Sequence, residues 1–297
     1  MKATLPLPTM AFLPGAARLQ CSLFLCLSLS TLARAATRRH EWEVSYQFKS
    51  PDCVRKLSAT INGQTPGPTI RATRGDTVEV KVRNSLLTEN LAIHWHGIRQ
   101  IGTPWADGTE GVTQCPILPG DTFTYAFVVD RPGTYMYHAH YGMQRSAGLY
   151  GVIVVVVADD DAEPFAYDDE HDVLLNDWWH SSTYEQAVGL ASVPMVWVRE
   201  PHSLLINGRG RFNCSAAVPG TCNATSPECA TPVFAVVPGK TYRFRIASVT
   251  SLSALNFEIE VRTHFLSFGA SFSFIFPLIC LFRFQTFQNT SIFAALP

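Results

Sequence analysis

Charge is scarce in this 297-residue chain, and neither sign prevails. Lysine and arginine number 23 against 24 aspartates and glutamates, so the formal net charge is −1 and charged residues make up 16%. Such a balance gives no footing for nucleic acid or an anionic membrane, and neither partner is expected. Low-complexity segments are missing as well. The 19 prolines and 19 glycines are dispersed along the chain, which favours many short strands joined by turns. About two domains are expected at this length.

The longest stretches without charge that could suggest a membrane segment lie at the two ends. Lys2 and Arg18 are the only charges before Arg34, Leu19 to Ala33 is largely apolar, and Ala33-Arg34-Ala35 is a small-x-small cleavage site. Residues 1–35 therefore read as a secretory signal peptide starting at Met1 or Met10, too short to be a membrane anchor. The mature chain is expected to be secreted and extracellular. In an oxidising compartment its six remaining cysteines, Cys53, Cys115, Cys214, Cys222, Cys229 and Cys280, should pair. Sequons at Asn213 and Asn223 fit glycosylation there, and a third triplet begins at Asn289.

Hydrophobic alternation sets the fold class. Trp42, Val44, Tyr46 and Phe48 alternate with polar residues, as do Val78, Val80 and Val82, and both runs read as half-buried strands. Further strands are expected over 122–129 and 135–140. Gly151 to Val157 is continuously apolar, as in a strand covered on both faces. This spacing of strands and turns argues an all-β Greek-key sandwich. An internal repeat duplicates it: Ile61-Asn62-Gly63 and the alternating strand after Arg74-Gly75-Asp76 return as Ile206-Asn207-Gly208 and the strand after Pro238-Gly239. A first sandwich is expected over 37–158 and a partial second over 165–260, with the acidic run 159–163 as a solvated linker. The second copy stops early. Residues 261–297 are rich in Phe and Ser and lack alternation, and the break at Val261 reads as a translated intron. Phe265 to Phe282 is uncharged, but its serines, glycine and proline argue against a membrane span.

The most informative motifs are two histidine pairs, His94-Trp95-His96 and His138-Ala139-His140. On a strand, residues i and i+2 share a face, so each pair presents two imidazoles to one side of a sheet. Two such strands give four imidazoles around one volume, a donor set suited to copper or zinc. His40, His171, His180, His202 and His264 have no partner pattern and no metal role is expected for them.

With those residues in view, the chain resembles a known family. His94-Trp95-His96-Gly97, Trp105-Ala106-Asp107-Gly108, Thr113-Gln114-Cys115-Pro116 and Tyr137-His138-Ala139-His140 are similar to half of the multicopper oxidase signature. The stretches Gly142 to Gly151 and Asp177-Trp178-Trp179-His180 resemble the plant ascorbate oxidases in particular, and laccases less closely. The resemblance implies tandem cupredoxin-like domains, single-electron oxidation of ascorbate at a type 1 copper, and reduction of dioxygen to water at a trinuclear cluster. It places the protein in the apoplast or cell wall, and a homodimer is compatible with it. It implies that His94 binds the type 2 copper, His96 and His138 one type 3 copper, and His140 the other. Asp107 corresponds to an acidic proton donor near the type 2 copper, although a turn aspartate before Gly108 reads equally well. Trp197 corresponds to a substrate-stacking indole, although a core tryptophan reads equally well. The resemblance pairs Cys53 with Cys229 and Cys214 with Cys222, and leaves Cys115 without its partner.

The resemblance is incomplete. The family cluster uses eight histidines, of which four match here, and no type 1 cysteine is present. Three readings stand: an ascorbate oxidase whose sequence is incompletely represented, a secreted copper-binding or partner-binding fragment without catalysis, and a laccase-type oxidase of phenols.

Overall fold

Alternation along the first strands dictates two facing sheets. In the computed structural model, residues 35–159, 161–163, 165–261, 280–286 and 291–295 are described. The first sheet has the order β2-β1-β4-β6, formed by β1 (Thr37–Lys49), β2 (Lys56–Ile61), β4 (Thr77–Asn84) and β6 (Thr122–Val128). The second has the order β3-β8-β7-β5, formed by β3 (Ile70–Thr73), β5 (Ile93–His96), β7 (Gly133–Ala139) and β8 (Tyr150–Val156). Between them Val78, Val80 and Val82 from one side meet Trp95, Tyr137 and Ile153 from the other, all fully buried. Burial of one such large apolar side chain contributes about 1.5–3 kcal/mol. The alternation at the start of β1 holds for Trp42 and Val44, which are buried, and fades at Tyr46. Phe48 departs from the sequence reading and is 56% exposed. The reason is register: β1 pairs with β4 only as far as Val44, and beyond that point its one neighbour is β2. Phe48 is covered instead by the Arg55 guanidinium, 3.9 Å from its ring centre.

The repeated Asn-Gly turns build matching corners. Asn62 and Asn207 both have positive φ and are followed by glycines that do too, as a two-residue hairpin requires. Asn62 Oδ1 accepts from the Glu43 amide while its Nδ2 donates to Glu41 O. Asn207 does the same with Leu174 and Asp172. The strands follow suit. β9 (Asp169–Trp178) lies antiparallel to β10 (Ser203–Ile206) and parallel to β11 (Tyr242–Ser248), just as β1 lies antiparallel to β2 and parallel to β4. A helix, α1 (Thr183–Ala191), starts at a capping box of Ser182 and Glu185. A three-stranded sheet, β12 (Leu255–Val261), β13 (Cys280–Thr286) and β14 (Ser291–Ala295), completes the described elements. The region expected to be an aberrant tail thus holds the last residue of β12, Val261, and two further described strands, both antiparallel to their neighbours; the rest of it, with His264, and residues 1–34 lie outside the described residues. No helix among the described residues is long and apolar enough to cross a membrane.

Strand β8 joins the copies. Ile153 and Val155 face the first core, while Tyr150, Val152 and Val154 pack with Leu174 and Val249. This is the double coverage that its apolar run implies. The acidic linker is clipped at both ends, Asp161 to Arg74 at 2.6 Å and Glu163 to Arg243 at 2.9 Å. Disulfide Cys53–Cys229 ties the loop after β1 to the second copy, and Cys214–Cys222 closes a short loop. Between the copies Lys56 is 5% exposed, with Nζ 4.2 Å above the Trp178 ring and 3.4 Å from Ser146 O.

Burial pulls the Lys56 ammonium down to about 8, against a smaller opposing pull from Asp52. Both folded and unfolded chains hold this proton below pH 8, so the folded state carries the full desolvation cost there. The cost fades as pH rises from 8 towards the ordinary value of 10.5. Lys56→Met should therefore gain stability of order 2 kcal/mol at pH 7, shrinking through that window in denaturant titrations. A constant difference across it would show that the lysine proton is not the cause.

Candidate metal centre

The site grows out of the pairing of β5 with β7. Their antiparallel register sets His94 directly opposite His138 and Trp95 opposite Tyr137. Because side chains alternate, Trp95 and Tyr137 fill the core while the histidines emerge on the other face. His138 is 6% exposed, His94 partly buried, and His96 and His140 open to solvent. His140 follows the last residue of β7, with its amide donating to Ala92 O at 2.9 Å. The ring centres of His94, His96, His138 and His140 lie between 5.5 and 6.1 Å apart in five pairings. One group of three or more potential ligand side chains comes together among the described residues: His94, His96 and His138, with ligand atoms all within 4.8 Å of one another.

Acceptors behind the rings fix their orientation. Taking the tautomer that donates from Nδ1, His94 bonds to Asp107 O at 2.8 Å, His138 to Ala139 O at 2.9 Å and His140 to Glu110 Oε2 at 3.1 Å. Each then keeps the Nε2 lone pair free. Burial, helped by the nearby Arg145 charge, lowers the proton affinity of His138 to about 4 and also lowers that of His96, where His94 adds to the effect. These rings are neutral at physiological pH, the form that ligates metal. Several neutral imidazoles with outward lone pairs fit copper.

Asp107 acts on His94 mainly through its main-chain oxygen. Its carboxylate Oδ1 lies 3.6 Å from His94 Nδ1, and Oδ2 accepts from the Thr109 hydroxyl at 2.9 Å. Close approach of this loop to β5 depends on Gly108, where φ is +85° and a Cβ would stand 1.7 Å from Ile93 O. Arg145, which sequence reasoning did not single out, donates to Val249 O and Thr250 O and so ties the loop after β7 to the second copy. Glu110 was also missed; nothing in the spacing of a lone glutamate in a loop points to a histidine 30 residues away. A cavity of about 370 Å³ opens beside the site, lined in part by Glu110, His138, His140 and Arg145.

The other candidates lie elsewhere. Trp197 is 51% exposed on the loop after α1, which rules out the core reading, and it does not line the cavity beside the histidines. Cys115 is free and exposed, and the side chain of Cys280 lies outside the described residues. His171 packs among Phe234, Tyr242 and Phe244, and His180 bonds to buried Asp52. Asn213 and Asn223 are exposed, each accepting at Oδ1 from the hydroxyl two residues on, Ser215 or Thr225.

Stacked sheets carrying clustered strand-borne imidazoles define a cupredoxin-like fold of the metal-binding kind. Matches to multicopper oxidase family models span residues 43–160 and 169–263, and the chain belongs to that oxidoreductase family. It is 53% identical over 239 residues to the L-ascorbate oxidase of Brassica rapa subsp. pekinensis, covering 78% of this chain and 42% of the relative. It is 55% identical over 228 residues to the L-ascorbate oxidase of Cucurbita maxima, covering 75% and 39%. Among solved structures, a laccase from Botrytis aclada superimposes with a TM-score of 0.64 at 34% identity, covering 76% of this chain and 40% of that one. The chain spans well under half the length of the curated relatives it matches.

Gly108→Ala should cost more than 2 kcal/mol in chemical unfolding, since left-handed strain of about 1–2 kcal/mol adds to a backbone clash. Gly111→Ala, at φ +73° with open space around its Cβ, should cost the strain alone. Equal costs would show that the approach to β5 is not tight.

Proposed function

We propose that this chain forms the first copper-ligand sandwich and part of the second in an L-ascorbate oxidase, a secreted enzyme of the apoplast or cell wall. The observation that carries the proposal is the four-histidine cluster, with the Nδ1 atoms of His94, His138 and His140 each facing an oxygen acceptor. Identities of 53% and 55% to ascorbate oxidases, against 34% to the laccase structure, favour ascorbate over phenols. Copper held by His94, His96, His138 and His140 together with the ligands of the rest of the enzyme would supply the redox chemistry by which dioxygen is reduced to water with electrons taken singly from ascorbate. His94 would hold the type 2 copper, His96 and His138 one type 3 copper, and His140 the other.

The remaining residues support that chemistry from outside. The Asp107 carboxylate, beside His94 and bonded by Thr109, would hold a proton near the type 2 position. The exposed Trp197 indole is free to stack on a planar reductant. Two disulfides and the exposed sequons at Asn213 and Asn223 suit an oxidising, glycosylating route.

The chain supplies four histidines where the family cluster uses eight, and it has no type 1 cysteine. Purified alone and dialysed against copper, it should retain metal yet show no ascorbate-dependent oxygen uptake and no intense blue absorption. Replacing His94, His96, His138 and His140 together by alanine should abolish the retained copper. Retention unchanged in that variant would refute the ligand assignment, and normal turnover by the unaltered chain would refute the account of its inactivity.

A further inference from the structure

The loop that crosses the histidine face carries a carboxylate with no assigned role, Glu110. It is not a freely moving surface acid. Glu110 sits in a turn closed by Thr113 N to Thr109 O at 2.9 Å, Thr109 N to Thr113 Oγ1 at 3.0 Å and Gly111 N to Gln114 O at 2.9 Å. Its side chain is 27% exposed and its Oε2 lies 3.1 Å from His140 Nδ1. His140 needs such a contact more than its neighbours do. It stands past the end of β7, and its ring, 42% exposed, lacks the packing that holds His138. His94 and His138 hydrogen-bond to main-chain carbonyls, with the Asp107 carboxylate 3.6 Å from His94; of the cluster, His140 alone hydrogen-bonds directly to a carboxylate.

We propose that Glu110 is a positioning residue for His140: it fixes the tautomer that leaves Nε2 free and holds the ring towards the cluster. The proposal rests on the copper reading of the four histidines. Physically, an acceptor on Nδ1 removes the competing tautomer and raises the donor strength of Nε2, and a carboxylate does so more strongly than an amide carbonyl. The same loop thus grips imidazoles from two strands, His94 through the Asp107 main chain and His140 through the Glu110 side chain. The cluster is therefore asymmetric. His140 is its most solvent-exposed anchored member and the one whose anchor is charged.

The test uses the full chain with ¹⁵N-labelled histidine, comparing wild type, Glu110→Ala and Glu110→Gln. In the metal-free wild type the His140 ring shifts should report an Nδ1–H tautomer. Glu110→Ala should lose that preference and weaken Cu(I) binding, measured by competition with a chromogenic chelator, by about tenfold or more. Glu110→Gln can still accept a hydrogen bond, so it should keep the tautomer and lose less affinity. The His94 and His138 shifts should stay put in both, which establishes that the fold is intact; if Glu110→Ala disturbs them, the decision passes to Glu110→Gln, where His140 shifts and Cu(I) affinity both unchanged from wild type overturn the proposal. It is also overturned if His140 shifts are unchanged in Glu110→Ala, or if its Cu(I) affinity stays within twofold of wild type. Failure of the wild-type chain to bind Cu(I) would instead defeat the copper reading, and the ring shifts would still decide whether Glu110 positions His140.

Discussion

Everything in the site depends on the register between β5 and β7. Placing His94 opposite His138 also places Trp95 opposite Tyr137, and the two facts cannot be separated, because a one-residue slip exchanges faces. The inward pair is locked by an aromatic cluster: Trp95 lies against Trp42, Tyr125, Phe127 and Tyr137 at 4.9 to 6.0 Å between ring centres. Such contacts add to simple burial and are directional. The core therefore does more than stabilise the sandwich. It sets the register that converges the imidazoles.

A second layer of control comes from the loops. The segment around Asp107 and Glu110 reaches the cluster because Gly108 lets its backbone pass close to Ile93. The loop after β7 is held by Arg145 to Val249 and Thr250 of the other copy. Acceptors behind the rings leave metal-facing lone pairs in place before any metal arrives, so little reorganisation is needed on binding.

The pattern of period two made much of this legible from sequence. It exposed the strand faces at Val78, Val80 and Val82, the paired histidines, the Asn-Gly corners and the doubly covered β8. It failed at Phe48, because alternation says which residues share a face but not how far the neighbouring strands run beside them: β4 stops pairing at Val44. The sequence left Asp107 between a proton donor and a turn residue; the fold shows it ending a single 3₁₀ turn, with its main-chain oxygen holding His94. Trp197 read as either a stacking indole or a core residue, and only its place on the loop after α1, 51% exposed, sets the core reading aside. Glu110 was illegible, since its contact with His140 is created by loop geometry. For similar reasons the strands at 280–286 and 291–295 were not foreseen, their segment having neither alternation nor turn signals.

The two-sided burial of β8 has a consequence for the order of assembly. Val152 and Val154 already protrude from the first sandwich when its own sheet closes, and they form the apolar wall against which Leu174 and Val249 settle. In vectorial synthesis the first copy emerges before the second and can fold as a unit. The later copy then condenses on a finished template. An error in closing β8 would thus be inherited by both halves, and the Lys56–Trp178 and Arg145 contacts would form only once the template was correct.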